Sequence, residues 1–256
     1  MLSLFSMIAQ LKDDVLNKHA RNALTTFKPS SKSWFTEIRD ICLTYNLPHP
    51  IQLLDNPPSK EQFKKLAKSR VIDYWEQKLR AEAAFLPSLQ HFHPEYMSLA
   101  NPHQLWLTAG SNPYEVSKAV VQAQFLSSRY RSEHLCRHWS KNTEGWCLSS
   151  ACYRQSETIE HILVTCPAHS EARNRLRRLW LSSADPLILK LASDALSSPP
   201  NSFLQFVLDC SAVPAVIAAN QTYGNKVFQS LFHLTRTWCF TIHKERMKML
   251  DRWNFR

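Results

Sequence analysis

The sequence predicts a mainly α-helical protein with an embedded zinc knuckle and a long C-terminal helix. Three observations lead there. Only three of the 256 residues are Gly, at 110, 145 and 224, too few for the tight hairpins and phosphate-cradling loops that depend on positive φ. Apolar residues recur at helical spacing in several stretches. Cys147, Cys152, His161 and Cys166 form the pattern C-x4-C-x8-H-x4-C, the donor set of a closed structural zinc site with no open position for catalysis. Hydrophobic content of 44%, with eight Trp and thirteen Phe, supports a core rather than disorder.

Taken in order, Leu2, Phe5, Ile8, Ala9 and Leu16 fall roughly on one face of a first helix. A second starts after Ser33, where Trp34, Phe35, Ile38, Ile41, Cys42 and Tyr45 keep the 3.6-residue period, and it stops before Leu47-Pro48-His49-Pro50. Ser59 with Gln62 reads as a capping box. It opens a helix with Phe63, Leu66, Ala67, Val71, Tyr74, Trp75 and Leu79 on one side and the solvated cations Lys64, Lys65, Lys68 and Arg70 on the other. Residues 86–112 are irregular and rich in Pro and His, and no Cys or carboxylate cluster accompanies His91 and His93. Asn112-Pro113-Tyr114-Glu115 is a helix start, with Asn as the cap and Pro in the first turn. Val116, Val120 and Ala123 are the expected inward stripe.

Ser156 is the expected cap of a short helix that places His161 one turn in and Cys166 just past its end. Ser170 is expected to open a basic helix with Ala172, Leu176, Leu179 and Trp180 inward and Arg173, Arg175, Arg177 and Arg178 outward. The run Ser197-Ser198-Pro199-Pro200-Asn201-Ser202 reads as a linker, followed by an apolar segment from Phe203 to Leu208. A long helix follows from about Asn225, its stripe formed by Phe228, Leu231, Phe232, Trp238, Ile242, Met249 and Trp253. The expected organisation is an N-terminal helical region over 1–110, a zinc-binding domain over 111–182 with its knuckle at 147–166, and a helical tail over 203–256.

The ligand chemistry is specific. Thiolate and neutral imidazole suit a borderline-soft ion such as Zn²⁺. Cys136, His138 and His169 are rival ligands on proximity alone. Cys42, Cys210 and Cys239 sit among apolar residues and read as buried thiols. A reduced intracellular setting, nuclear or cytoplasmic, fits a thiolate site better than disulfides. No secretory leader is apparent, and no apolar run approaches the roughly 20 residues of a membrane span.

Net charge is +10, with an isoelectric point near 9.4, a balance that points to a polyanionic partner. Arg129, Arg131, Arg137, Lys141, Arg173, Arg175, Arg177 and Arg178 surround the metal pattern and are the candidate phosphate contacts. Arg154 lies within it. Trp139, Trp146 and Tyr153 are interleaved with these cations and are expected in the core rather than on a stacking surface.

Several runs together resemble one family. They are Ser128-Arg129-Tyr130-Arg131, Leu135-Cys136-Arg137-His138-Trp139, the pair Cys147 and Cys152, and Glu157-Thr158-Ile159-Glu160-His161-Ile162-Leu163 through Cys166-Pro167. This order is similar to the region downstream of the polymerase in non-long-terminal-repeat (LINE-type) retrotransposon reverse transcriptases. The stretch from Phe232 through Cys239 to Arg246 resembles their tail. Lys32-Ser33-Trp34-Phe35 resembles the segment joining polymerase to zinc domain. The resemblance implies RNA or DNA binding beside a reverse transcriptase polymerase domain, and favours Cys147, Cys152, His161 and Cys166 as the ligands. No Tyr-x-Asp-Asp polymerase motif occurs in the sequence, so the chain reads as the C-terminal part of such an element, or as a separate reading frame, without a catalytic centre. The alternatives are a divergent Mg²⁺ nuclease using acids such as Asp185, Asp194 or Asp209, and a scaffold whose C-terminal helix docks on a separate polymerase domain.

Overall fold

The structure is a computed structural model that describes residues 14–26, 33–93, 99, 101–138 and 144–254. Helix accounts for most of these residues, and no named strand is present among them. The chain divides into two compact units, residues 1–79 and 80–256.

The first unit holds α1 (Asp14–Thr26), α2 (Trp34–Thr44), α3 (Pro50–Asp55) and the start of α4 (Lys60–Phe85). The expected helix face at Leu2, Phe5, Ile8 and Ala9 lies outside the described residues. Ser33 caps α2 reciprocally: its hydroxyl accepts from the Thr36 amide at 3.2 Å and its own amide donates to the Thr36 hydroxyl at 3.0 Å. Asn46, at φ 50°, turns the chain out of α2 in the left-handed region that Asn tolerates. Ser59 and Gln62 form the anticipated capping box, with bonds of 3.3 and 3.1 Å. The short α3 is an element the periodicity did not reveal: Pro50 opens it and the His49 ring accepts from the Ile51 amide. Ala20, Leu24, Ile38, Cys42, Leu47, Leu53, Leu54 and Phe63 make this unit's core.

The second unit contains α5 (Gln104–Leu107), α6 (Pro113–Leu126), α7 (Glu133–Cys136), α8 (Ser170–Leu181), α9 (Pro186–Leu196), α10 (Pro200–Leu208), α11 (Pro214–Tyr223) and the 29-residue α12 (Lys226–Asn254). Helix α12 is the axle against which α6, α8, α10 and α11 pack. Its stripe of Phe228, Leu231, Phe232, Trp238 and Ile242 is buried. At the centre, the Trp238 ring lies 5.0 Å from both Trp180 and Phe203, within the range of favourable aromatic pairing. One apolar core runs from Leu105 to Ile242, so the stretches 111–182 and 203–256 share it.

Several registers differ from expectation. Asn112 caps α6 and Pro113 opens it as foreseen, but the buried face is Ala119, Val121, Gln122, Phe125 and Leu126 while Val120 is exposed. The reason is polar: Gln122 turns inward and donates to the carbonyls of Val207 and Leu208 at 2.8 and 3.1 Å. In α8 the inward set is Ala172, Arg173, Leu176 and Trp180, with Leu179 outside. The proline-serine run 197–202 is the turn into α10, whose first residue is Pro200. Two basic residues of α12 are internal. The Arg236 guanidinium donates to the Thr108 hydroxyl at 2.6 Å and lies 3.4 Å from Glu115, and Arg246 is buried against Glu157.

Candidate metal centre

Residues 145–157 fold back on themselves as a narrow ribbon. Trp146 pairs antiparallel with Ser156, the Cys147 amide donates to the Gln155 carbonyl at 2.8 Å, and the Glu157 amide donates to Gly145 at 3.0 Å. Gly145 is required here. It sits at φ +80°, and a Cβ on it would lie 2.8 Å from the Arg137 side chain. A turn of 3₁₀ helix at Ser150–Cys152, capped by the Ser149 hydroxyl, brings Cys152 inward. Tyr153 and Arg154 then reverse the chain at φ 27° and 55°.

The second half of the site comes from a π-turn, His161–Thr165. Ser156 was the expected cap; Thr158 holds that place, its hydroxyl accepting from the His161 amide at 3.1 Å. Ser156 instead bonds the His134 ring at 2.8 Å. The π-turn has a function. Over five residues an α-helix rotates far past one turn and would aim His161 and Cys166 apart, at about 100° per residue. The wider turn, closed by the Cys166 amide on the His161 carbonyl at 2.7 Å, returns both to one side.

The donor atoms of Cys147, Cys152, His161 and Cys166 all lie within 4.8 Å of one another. The Cys166 Sγ is 3.8 Å from Cys147 and 3.5 Å from Cys152. Tetrahedral Zn–S bonds of about 2.3 Å require sulfurs about 3.8 Å apart. The His161 Nε2 is buried without a hydrogen-bond partner, while Nδ1 is 3.4 Å from the Thr165 hydroxyl. That arrangement suits Nε2 ligation with Nδ1–H held by Thr165. Backbone amides of Ser149 and Ala168 donate to the sulfurs of Cys147 and Cys166, support that a thiolate uses and a neutral thiol does not need. The four residues therefore fit a metal ion.

The sulfurs already compete for protons. The neighbouring Cys147 thiol, donating to Cys166, holds the latter below the ordinary cysteine value, against burial. The same hydrogen bond and then burial push Cys147 up to about 12, and burial raises Cys152. One thiolate is favoured and two thiols keep their protons, which a bound cation would displace.

The structure sorts the candidate cations. Arg129, Arg131, Arg137, Arg177 and Arg178 are exposed, as is Arg154, and none forms an ion pair with another described residue. Arg175 is half-committed, 2.8 Å from Glu171 and 3.5 Å from Glu245. Lys141 and Trp139 lie outside the described residues. Arg173 is a correction: it is only 7% exposed and faces the metal residues. Burial lowers its guanidinium value while the charges of Cys166 and Cys152 oppose that. Three thiolates and one dication sum to −1, so a buried cation beside them offsets the excess. Of the rival ligands, His169 is buried and pushed down to about 4 by burial and then by Arg173; it stands outside the ligand group, as do Cys136 and His138.

Sequence reasoning missed the partner of Glu157. This carboxylate accepts from Arg246 Nε at 3.0 Å and from its terminal nitrogen at 2.8 Å, and from the Glu133 amide at 2.6 Å. The partners are 89 residues apart, and no local pattern announces such a pair. Two of the three acids of the nuclease alternative have structural employment, and the third, Asp194, is exposed and apart from them. Asp185 caps α9, accepting from the Leu187 and Ile188 amides, and Asp209 is buried between His103 and Ser211. Among the described residues, the Cys₃His set is the one group of three or more potential metal ligands drawn together. No described helix is long and apolar enough to cross a membrane. No protein-family model matches the sequence, and no curated protein or solved structure matches it either.

Proposed function

We propose that this chain is a zinc-stabilised nucleic-acid-binding module, corresponding to the zinc region and tail of a LINE-type retrotransposon reverse transcriptase, and that it binds rather than catalyses. The observation that carries this reading is the placement of exposed, unpaired arginines around a closed Cys₃His cluster. Arg129, Arg131 and Arg137 precede it, Arg154 lies within it, and Arg177 and Arg178 follow it. Zn²⁺ is the ion this donor set selects: three soft thiolates and an imidazole complete a tetrahedron. Its role is structural, because all four positions are filled by protein and no site for water or substrate is left. The ion fixes the ribbon and with it the directions of the surrounding cations.

Binding of this kind is led by phosphates, and the logarithm of the affinity for RNA or DNA falls linearly with the logarithm of salt concentration. Titrating labelled nucleic acid at several salt concentrations, with wild type and an Arg177→Gln/Arg178→Gln variant, tests the reading. Weaker binding and a slope reduced by about two for the double variant are expected. Binding to neither RNA nor DNA would reject it. The resemblance implies a polymerase domain as the protein partner. An association with such a domain that survives high salt would add this partner to the module.

A further inference from the structure

We propose that the tip of the metal ribbon is a stacking platform for an unpaired base of a single-stranded nucleic acid, with Tyr153 supplying the ring and Arg154 the adjoining cation. This rests on the nucleic-acid reading above and adds to it the class of strand recognised.

The argument begins with a ring that packs against little. Tyr153 is 86% exposed and Trp146, on the same ribbon, is 38% exposed, so the ribbon holds two aromatic rings open to solvent. The backbone beneath the ring is unusual as well. Tyr153 and Arg154 hold φ values of 27° and 55° in succession, a region that residues with a side chain seldom adopt. Glycine would relieve both positions, and the ribbon does use glycine at 145. A strained turn that displays Tyr and Arg outward spends conformational energy on presenting those side chains, the pattern of a functional site.

The tip is also held firmly. The metal ligand Cys152 precedes Tyr153. Gln155 follows Arg154, its amide donating to the Cys152 carbonyl at 3.0 Å and its carbonyl accepting from Cys147 at 2.8 Å. A turn fixed in this way loses little backbone freedom on binding. The surroundings select the ligand. Arg154 adjoins the ring in the turn and is exposed. Ser150, Ala151 and Gln155 of the same turn are small or polar and exposed. A protein partner would call for an apolar interface centre. A ring beside a cation, rimmed by small or polar side chains, calls for a flat, uncharged face attached to phosphate. Inside a duplex both faces of a base are covered, so the complementary ligand is a single strand.

The test compares wild type, Tyr153→Gly and Tyr153→Phe in the full chain with its metal. Each is titrated into a labelled single strand of mixed sequence, made as RNA and as DNA, and into a blunt duplex of equal length, with zinc content and helical circular dichroism measured alongside. Tyr153→Gly is expected to keep its zinc and its fold, because glycine takes the left-handed backbone freely. It is expected to bind the single strands roughly tenfold more weakly while duplex affinity stays within about twofold. Tyr153→Phe should bind as wild type does. Unchanged single-strand affinity in Tyr153→Gly, equal losses on strand and duplex, or loss of zinc would each overturn the platform while leaving the nucleic-acid reading in place. Wild type that binds neither strand nor duplex would overturn both.

Discussion

The ribbon that carries the metal ligands and the aromatic centre beneath α12 belong to the same unit, yet they are held by different forces. Around Trp238, burial does the work: Trp180 and Phe203 pack against its ring, and Phe206, Leu204 and Val207 belong to the same core, drawn from helices far apart in sequence. Each such side chain contributes about 1.5–3 kcal/mol by leaving water. Between Gly145 and Gln155 the chain buries little apolar surface beyond Cys152. Its shape depends on directed contacts: four converging donors, amide-to-sulfur bonds, and the ion pair from Glu157 to Arg246. Apolar packing tolerates approximate geometry, and ligation does not. The ribbon can therefore display strained and exposed residues that a packed core would not accommodate. The two regions meet at named atoms. The Trp238 indole donates to the Leu163 carbonyl at 3.2 Å, and Arg246 of α12 clasps Glu157.

Removing the metal should separate the two regions most sharply. A strong chelator, or Cys152→Ser combined with His161→Ala, should abolish zinc binding, worth on the order of 10 kcal/mol for structural sites. Hydrogen exchange is expected to show 145–169 losing protection while α6, α10 and α12 keep theirs. Uniform loss of protection would mean that the regions form a single cooperative block. About one zinc per chain in the wild type, by elemental mass spectrometry, is the accompanying expectation.

Next in size, Trp238→Ala should cost about 3–5 kcal/mol through lost burial and a cavity, read as a lower urea midpoint. Folded molecules should still carry zinc. A comparable loss is expected at the clasp. Glu157→Ala leaves Arg246 buried without its partner, a cost of about 3–5 kcal/mol. Adding Arg246→Met should recover most of it, because removing both charges also removes the desolvation penalty. A double variant no better than the single one would show that Glu157 acts through the Glu133 amide instead.

The core also carries its own acid sensitivity. Burial opposes ionisation of Asp209, but the hydrogen bonds from His103 and Ser211 prevail and hold its carboxyl below the ordinary carboxylate value. A depressed folded value means that the unfolded chain takes up the proton first. The contribution is present in full above pH ~4, the unfolded value, and is lost as pH falls through the folded one. Urea midpoints measured from pH 6 downward should therefore drop less for Asp209→Asn than for wild type, although the variant is weaker near neutrality by about 2 kcal/mol. The smallest effect is expected at Val120, which faces solvent: Val120→Ser should shift stability by no more than about 0.5 kcal/mol.

The sequence by itself determined what is local. Ser33, Ser59 with Gln62, and Asn112 with Pro113 announced three helix starts because a cap bonds amides only a few residues away. The four candidate metal ligands were legible because they lie within twenty residues of one another and have a narrow chemistry. Tertiary structure decided which face of a helix is inside wherever a polar residue had a distant partner. Gln122 rotated α6 so that Val120 faces water, and Arg173 turned toward the thiolates instead of the solvent. Arg246 left the surface for Glu157. Trp146 and Tyr153, expected in the core, stand outside it because the ribbon that carries them is shaped by its own backbone bonds and by four converging metal-ligand candidates rather than by apolar packing. Periodicity records average hydrophobicity along a helix, but a buried hydrogen bond or ion pair is satisfied by one specific group. When that group comes from another part of the chain, only the folded arrangement reveals it.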